Sequence, residues 1–249
     1  MYQPWRIIAR AGRATPNSAT RQAVQCPFTG GLDRCRNRGG LHMAALAHEG
    51  LRASPQVANH LLYLHGFRSS PNSAKARMTA ARMATANPQA TWWCPQLPPS
   101  PRDAMAMVQQ GIAGWPADTM AVVGSSLGGF YATWVAETTG CKAVLLNPAV
   151  DPARDLAKYI GELTSWHEPA ERFFFKPEFI DELSALECRG LARPENYFCV
   201  IAKGDEVLDW REMTARYAGA HIKLLEGSDH GLTDFDQHMD EVFTFLGLQ

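Results

Sequence analysis

A serine set between glycines, Gly124-Ser125-Ser126-Leu127-Gly128, is the run in this chain best suited to chemistry. It fits G-x-S-x-G with Ser126 central, preceded by an expected strand and followed by an expected helix. A strand-to-helix turn of this kind needs small residues on both sides of the serine, because the backbone must pass closely through a strained bend that lifts the hydroxyl above a sheet. The plainer alternative is a glycine-rich βα turn or an anion site. A Walker A loop is excluded because no Gly-Lys-Ser/Thr appears.

A serine hydroxyl is a poor nucleophile at neutral pH and needs a base within hydrogen-bond reach. His230, in Gly227-Ser228-Asp229-His230-Gly231, follows the last expected strand, and open α/β sheets place their sites at that end. His65, His221 and His238 compete for the role, whereas His42, His48, His60 and His167 lie outside strand-end loops. The base in turn needs an acid to orient it and stabilise its cation. Asp205, in Gly204-Asp205-Glu206-Val207-Leu208, directly follows the fifth expected strand, with Glu206, Asp209 and Asp229 as local rivals. Two backbone N–H groups complete the set as an oxyanion hole. One is that of Leu127, next to the serine; the other is that of Phe67, in the His65-Gly66-Phe67 turn.

The elements that must position these residues alternate from His60 onward. Strands are expected at His60–His65, Thr91–Cys94, Met120–Val123, Ala143–Leu146, Tyr197–Ala202 and His221–Leu225, as short apolar runs bounded by Gly or Pro. Helices are expected in the Ala-rich stretch to about Ala86, from Pro101 to about Ile112, through Tyr131, Trp134 and Val135, and at the end. Ser100-Pro101-Arg102-Asp103 reads as an N-cap, a first-position proline and an acid in the first turn. The final helix carries Phe235, Met239, Val242, Phe243 and Leu246 on one face. Strands alternating with helices imply an α/β domain with a mostly parallel sheet covered on both faces. Between about 148 and 194 the alternation lapses. Trp166, Phe173, Phe174, Phe175 and Phe179 lie there with no clear strand, which reads as a helical insertion. Its aromatics either cover the sheet or line a pocket as a lid.

The chain has 249 residues, 46% hydrophobic and 20% charged, enough for one domain with a substantial core. Its net charge of −1 excludes a general polyanion binder, and no nucleic-acid partner is expected. No apolar run approaches a membrane span. The six cysteines form no C-x-x-C pair, which favours free thiols in a reducing, cytoplasmic setting. The charge is uneven: residues 1–42 carry seven arginines and one acid, a net of +6, against −7 for the remainder. Residues 1–58 are therefore read as a basic, disordered extension ahead of a domain at 59–249. The extension is open to three readings: a basic arm, an Arg-rich targeting peptide, or an upstream stretch translated in error with Met43 as the true start. The third is preferred, because ordinary composition begins at Met43-Ala44-Ala45.

Leu62-Tyr63-Leu64-His65-Gly66-Phe67 with Ser69-Ser70-Pro71, Gly124 to Thr133, Leu146-Asn147-Pro148-Ala149-Val150, Gly204 to Asp209, and Asp229-His230 together resemble the YqiA/YcfP-like small bacterial α/β-hydrolases. The resemblance spans about Leu61 to Leu248. It implies a compact serine esterase with a reduced sheet, lacking the antiparallel strands that open larger members. It also implies Ser126 as nucleophile, Asp205 as acid and His230 as base, which is the chain order of α/β-hydrolases and not of chymotrypsin or subtilisin. The expected substrate is a small-molecule ester or thioester, with no cofactor and no metal. His48-Glu49 and His167-Glu168 lack the second histidine of H-E-x-x-H. The alternative is a binding or scaffold protein that uses the same fold without turnover.

Overall fold

The computed structural model describes residues 58–165, 170 and 172–248, all within the compact unit Leu51–Gln249. The readings placed on residues 1–57, and on Trp166, His167 and Glu168, lie outside the described residues.

The elements run in chain order β1 (His60–Leu64), α1 (Ala74–Ala86), β2 (Thr91–Trp93), α2 (Pro101–Ile112), β3 (Met120–Ser125), α3 (Leu127–Thr139), β4 (Lys142–Leu146), α4 (Pro152–Leu156), β5 (Gly161–Thr164), β6 (Arg172–Phe175), α5 (Glu178–Ala185), β7 (Tyr197–Ala202), α6 (Trp210–Arg216), β8 (His221–Leu225) and α7 (Met239–Leu246). Six strands form one sheet in the order β2-β1-β3-β4-β7-β8, every neighbouring pair parallel.

A parallel sheet buried on both faces demands apolar side chains on both sides of each central strand. The alternation is visible residue by residue. Leu62, Leu64, Val122, Leu145, Cys199 and Ile201 pack toward α2, α3 and α5. Leu61, Tyr63, Val123, Val144, Phe198 and Val200 pack toward α1 and α7. At about 25 cal/mol per Å² of apolar surface removed from water, such doubly buried strands are the main stabilising element of the domain.

The expected cap of α2 is present: the Ser100 hydroxyl accepts from the Asp103 N–H at 3.2 Å, with Pro101 in the first turn. The insertion departs from expectation. It is not wholly helical, since β5 and β6 form an antiparallel hairpin between α4 and α5. Arg172-Phe173-Phe174-Phe175 alternates in burial, with Phe175 inside and Phe174 outside, so a short two-sided strand lies within what reads as an unbroken aromatic run. The final helix is also shorter than expected, because Phe235 lies in a 3₁₀ turn that precedes α7. Helix α6 carries no strong periodic signal, and the sequence reading omits it.

The chain leaves β1 for the edge strand β2 and returns to β3 on the other side of β1. This reversal is a topological switch point, and it opens a crevice beyond the carboxyl ends of β1 and β3. Phe67 and Ser126 follow those two ends.

Candidate active site

Ser126 occupies the turn between β3 and α3 with φ 57° and ψ −120°, outside the regions open to most L-residues. Such a conformation costs about 1–3 kcal/mol and persists only when its surroundings enforce it. Three backbone bonds do so. The Ser126 N–H donates to the Leu146 carbonyl at 3.0 Å, and the Ser126 carbonyl accepts from Gly129 at 2.8 Å and Ala149 at 3.0 Å. The flanking glycines are dictated by close approach. A Cβ on Gly128 would lie 1.9 Å from the Leu64 carbonyl oxygen, and one on Gly124 would lie 2.1 Å from the Gly128 carbonyl oxygen.

The structure brings the three candidate side chains together. His230 Nε2 lies 3.2 Å from Ser126 Oγ, and His230 Nδ1 lies 2.8 Å from Asp205 Oδ2. A carboxylate only accepts, so Nδ1 carries the proton and Nε2 presents its lone pair to the serine hydroxyl. The Asp205 side chain is 0% exposed and that of His230 22% exposed. Burial of a carboxylate demands full satisfaction of its oxygens. Asp205 Oδ1 accepts from the N–H groups of Val207 and Leu208, both at 2.8 Å.

The rival acids are engaged elsewhere. Glu206 accepts from the His230 N–H at 3.1 Å and so anchors the loop backbone, not the imidazole. Asp209 caps α6 by accepting from Arg211, and Asp229 accepts from the Thr233 N–H. Among the rival histidines, His65 is buried. Its Nε2 accepts from Leu97 at 3.1 Å and its Nδ1 donates to the Gly66 carbonyl at 3.0 Å, which ties the loops after β1 and β2 together. His221 packs its ring against Phe198, and His238 lies 3.4 Å from Asp234.

Sequence reasoning gave no role to Asn147, which the structure sets at the centre of the loop cluster. It is fully buried at φ 42°, a left-handed conformation that asparagine tolerates better than most residues. Its Oδ1 accepts from the Ala202 N–H at 2.8 Å, and its Nδ2 donates to the carbonyls of Asp229 at 2.9 Å and His230 at 3.2 Å. One side chain thereby joins the ends of β4 and β7 to the histidine loop. Its only local signal is an Asn-Pro pair closing a strand.

Ser126 and His230 border a cavity of about 430 Å³ together with Phe67 and Leu127, the two residues expected to supply oxyanion donors. Leu127 is the first residue of α3, where a backbone N–H has no intrahelical acceptor. The cavity wall combines apolar side chains, Ala149, Pro152, Leu156 and Leu208 among them, with the charged Arg68, Asp155, Lys158 and Glu206. Phe67 is held by ring contacts to Tyr159, Phe173 and Phe175, so the insertion both covers the sheet and builds this wall. Among the described residues, no group of three or more His, Cys, Asp or Glu side chains is placed to hold a metal ion. No helix among them is long and apolar enough to cross a membrane.

The fold is that of the α/β-hydrolases. Est1E from Butyrivibrio proteoclasticus superposes with a TM-score of 0.54 at 14% identity, covering 77% of this chain and 88% of its own. Tomato methylketone synthase I, complexed with 2-tridecanone, gives 0.56 at 15% identity, covering 76% and 97%. The α/β hydrolase domain-containing protein 10 from mouse gives 0.54 at 14% identity, covering 75% and 90%. More specifically, residues 60–247 match the model of the uncharacterised protein family UPF0227, and the chain belongs to that family, the YqiA/YcfP family.

Proposed function

We propose that this protein is a serine hydrolase that cleaves carboxylic esters or thioesters through an acyl-enzyme. The observation that carries this reading is the hydroxyl–imidazole–carboxylate relay, with contacts of 3.2 and 2.8 Å, at a strained turn bordering a cavity. In this mechanism His230 Nε2 removes the proton as Ser126 Oγ attacks the acyl carbon. The imidazolium then gives that proton to the leaving alkoxide or thiolate. Asp205 holds the imidazole in the required tautomer and stabilises its cation. The N–H groups of Phe67 and Leu127 stabilise the tetrahedral oxyanion, and loss of one such donor typically costs about 10²–10³ in rate. Water, deprotonated by His230, releases the acid in the second half-reaction.

The apolar part of the cavity wall, Ala149, Pro152, Leu156 and Leu208, supports an apolar acyl group. So does the long-chain ketone in the tomato structure with the same fold. A fluorophosphonate probe tests the reading directly. It is expected to label Ser126 in the wild-type protein, and Ser126→Ala is expected to lose both labelling and hydrolysis of a panel of short- and long-chain esters and thioesters. A folded wild-type protein that stays unlabelled and releases no product would instead indicate binding without turnover.

A further inference from the structure

A second cavity, about 300 Å³, also meets Ser126 and His230, and the two differ in the balance of charge on their walls: Arg68 and Lys158 stand with Asp155 and Glu206 around the first, whereas Lys75 is the one Lys, Arg, Asp or Glu among the described residues lining the second. Its wall includes Phe67, shared with the first cavity, Tyr63 from β1, Ser73 and Lys75 at the start of α1, and Gly231. Three features share its polarity. Ser73 precedes α1 without capping it by its side chain, so the first turn of this 13-residue helix keeps its positive end toward the cavity. Lys75 reaches across and donates to the Gly231 carbonyl, beside the candidate base. Tyr63 is fully buried, and among the described residues its phenol hydroxyl finds no hydrogen-bond partner. A buried hydroxyl without a partner is costly, so one bordering a cavity points to a ligand that satisfies it.

From these features we propose that this cavity receives the leaving group of the substrate, and that Lys75 selects a leaving group bearing a carboxylate or phosphate. The proposal rests on the serine-hydrolase reading and deepens it. Acyl chain and leaving group diverge from the same carbonyl carbon, and the two cavities diverge from the same serine, the first with its cations matched by carboxylates and the second with Lys75 unmatched by any carboxylate among its lining residues. The carboxylates nearest Lys75 are already committed: Asp205 to His230, Val207 and Leu208, and Asp229 to Thr233. The ammonium thus keeps capacity for an incoming anion. Burial lowers its pKa to about 8, partly opposed by Asp229 and Asp205, which leaves it mostly charged at neutral pH. Lysine serves this role as a compact point charge on a flexible stem.

The test uses three butyrate esters: the anionic 4-butyryloxybenzoate, the anionic 4-butyryloxyphenyl phosphate and the neutral methyl 4-butyryloxybenzoate. The quantity read is the ratio of kcat/KM for each anionic ester over the neutral one, which cancels differences in the folded fraction. Lys75→Met is expected to lower at least one ratio by about tenfold to a hundredfold, as loss of a charge-assisted hydrogen bond does. Lys75→Arg, which keeps the charge, is expected to hold that ratio within about threefold. Which ratio falls separates a carboxylate from a phosphate as the recognised group. Ratios left unchanged by Lys75→Met, while Ser126→Ala is inactive on all three esters, overturn the leaving-group site and leave the serine mechanism standing. Equal turnover by Ser126→Ala and the wild type overturns the serine mechanism itself. Wild-type protein inert toward all three esters counts against both.

Discussion

Asp205 shows how much one carboxylate can be asked to do. One oxygen secures its own loop through two backbone N–H groups, and the other faces the imidazole. In Asp205→Asn the carbonyl oxygen can keep the two backbone bonds, so the amide nitrogen turns toward His230. That nitrogen donates, and it selects the imidazole tautomer that can no longer accept the serine proton. The expected result is a fall in kcat of about 10³–10⁴ with little change in melting temperature. Steady-state kinetics beside a thermal melt checks it, and a comparable loss of stability would show that the role of Asp205 is structural. The choice of Asp205 over Glu206, Asp209 and Asp229 was legible from its place directly after the strand and from the family resemblance of its loop, not from any side-chain geometry. What distinguishes the four is where each side chain points.

At the scale of elements, the strand–turn–helix unit of β3 and α3 was fully legible, because its glycines, its small residues and the flanking apolar run are contiguous. Its packing makes a sharp prediction. Gly128→Ala places a methyl against the Leu64 backbone carbonyl, an atom that cannot swing aside as a side-chain end can. The helix must move away from β1, carrying Leu127 with it. The substitution is expected to cost about 3 kcal/mol or more, within the range of severe overpacking. Urea denaturation reads this directly, and an unchanged midpoint would mean that the close contact between α3 and β1 is absent in solution. The β5–β6 hairpin escaped the sequence reading for the opposite reason. Each strand has only four residues, too few for a period of two to stand out among adjacent phenylalanines.

For the molecule as a whole, two cores on either side of one sheet decide which groups water can reach. Cys94, Cys141, Cys188 and Cys199 are free thiols. Burial pushes the thiol of Cys94 up to about 12 and that of Cys141 up to about 11. Because the thiolate is the reactive form, alkylation at pH 8 is expected to be at least about a hundredfold slower at these two sites than at an unhindered cysteine. Unfolding in urea should restore the ordinary rate. Site-resolved mass spectrometry after timed iodoacetamide exposure gives the comparison, and rapid native labelling of Cys94 or Cys141 would contradict the packing around them.

The amino-acid sequence on its own determined the alternation of strands and helices, the glycine-flanked serine, and the strand-end loops that carry Ser126, Asp205 and His230, since each is marked by residues adjacent in the chain. Tertiary structure alone decided that Asn147 joins three loops, that the His65 ring bonds backbone groups of Gly66 and Leu97, and that Lys75 lines a cavity with Ser126, 51 positions away along the chain. The reason is geometric: propensity and periodicity describe which face a residue turns to its own element, but carry no measure of distance between loops that meet only once the sheet has formed.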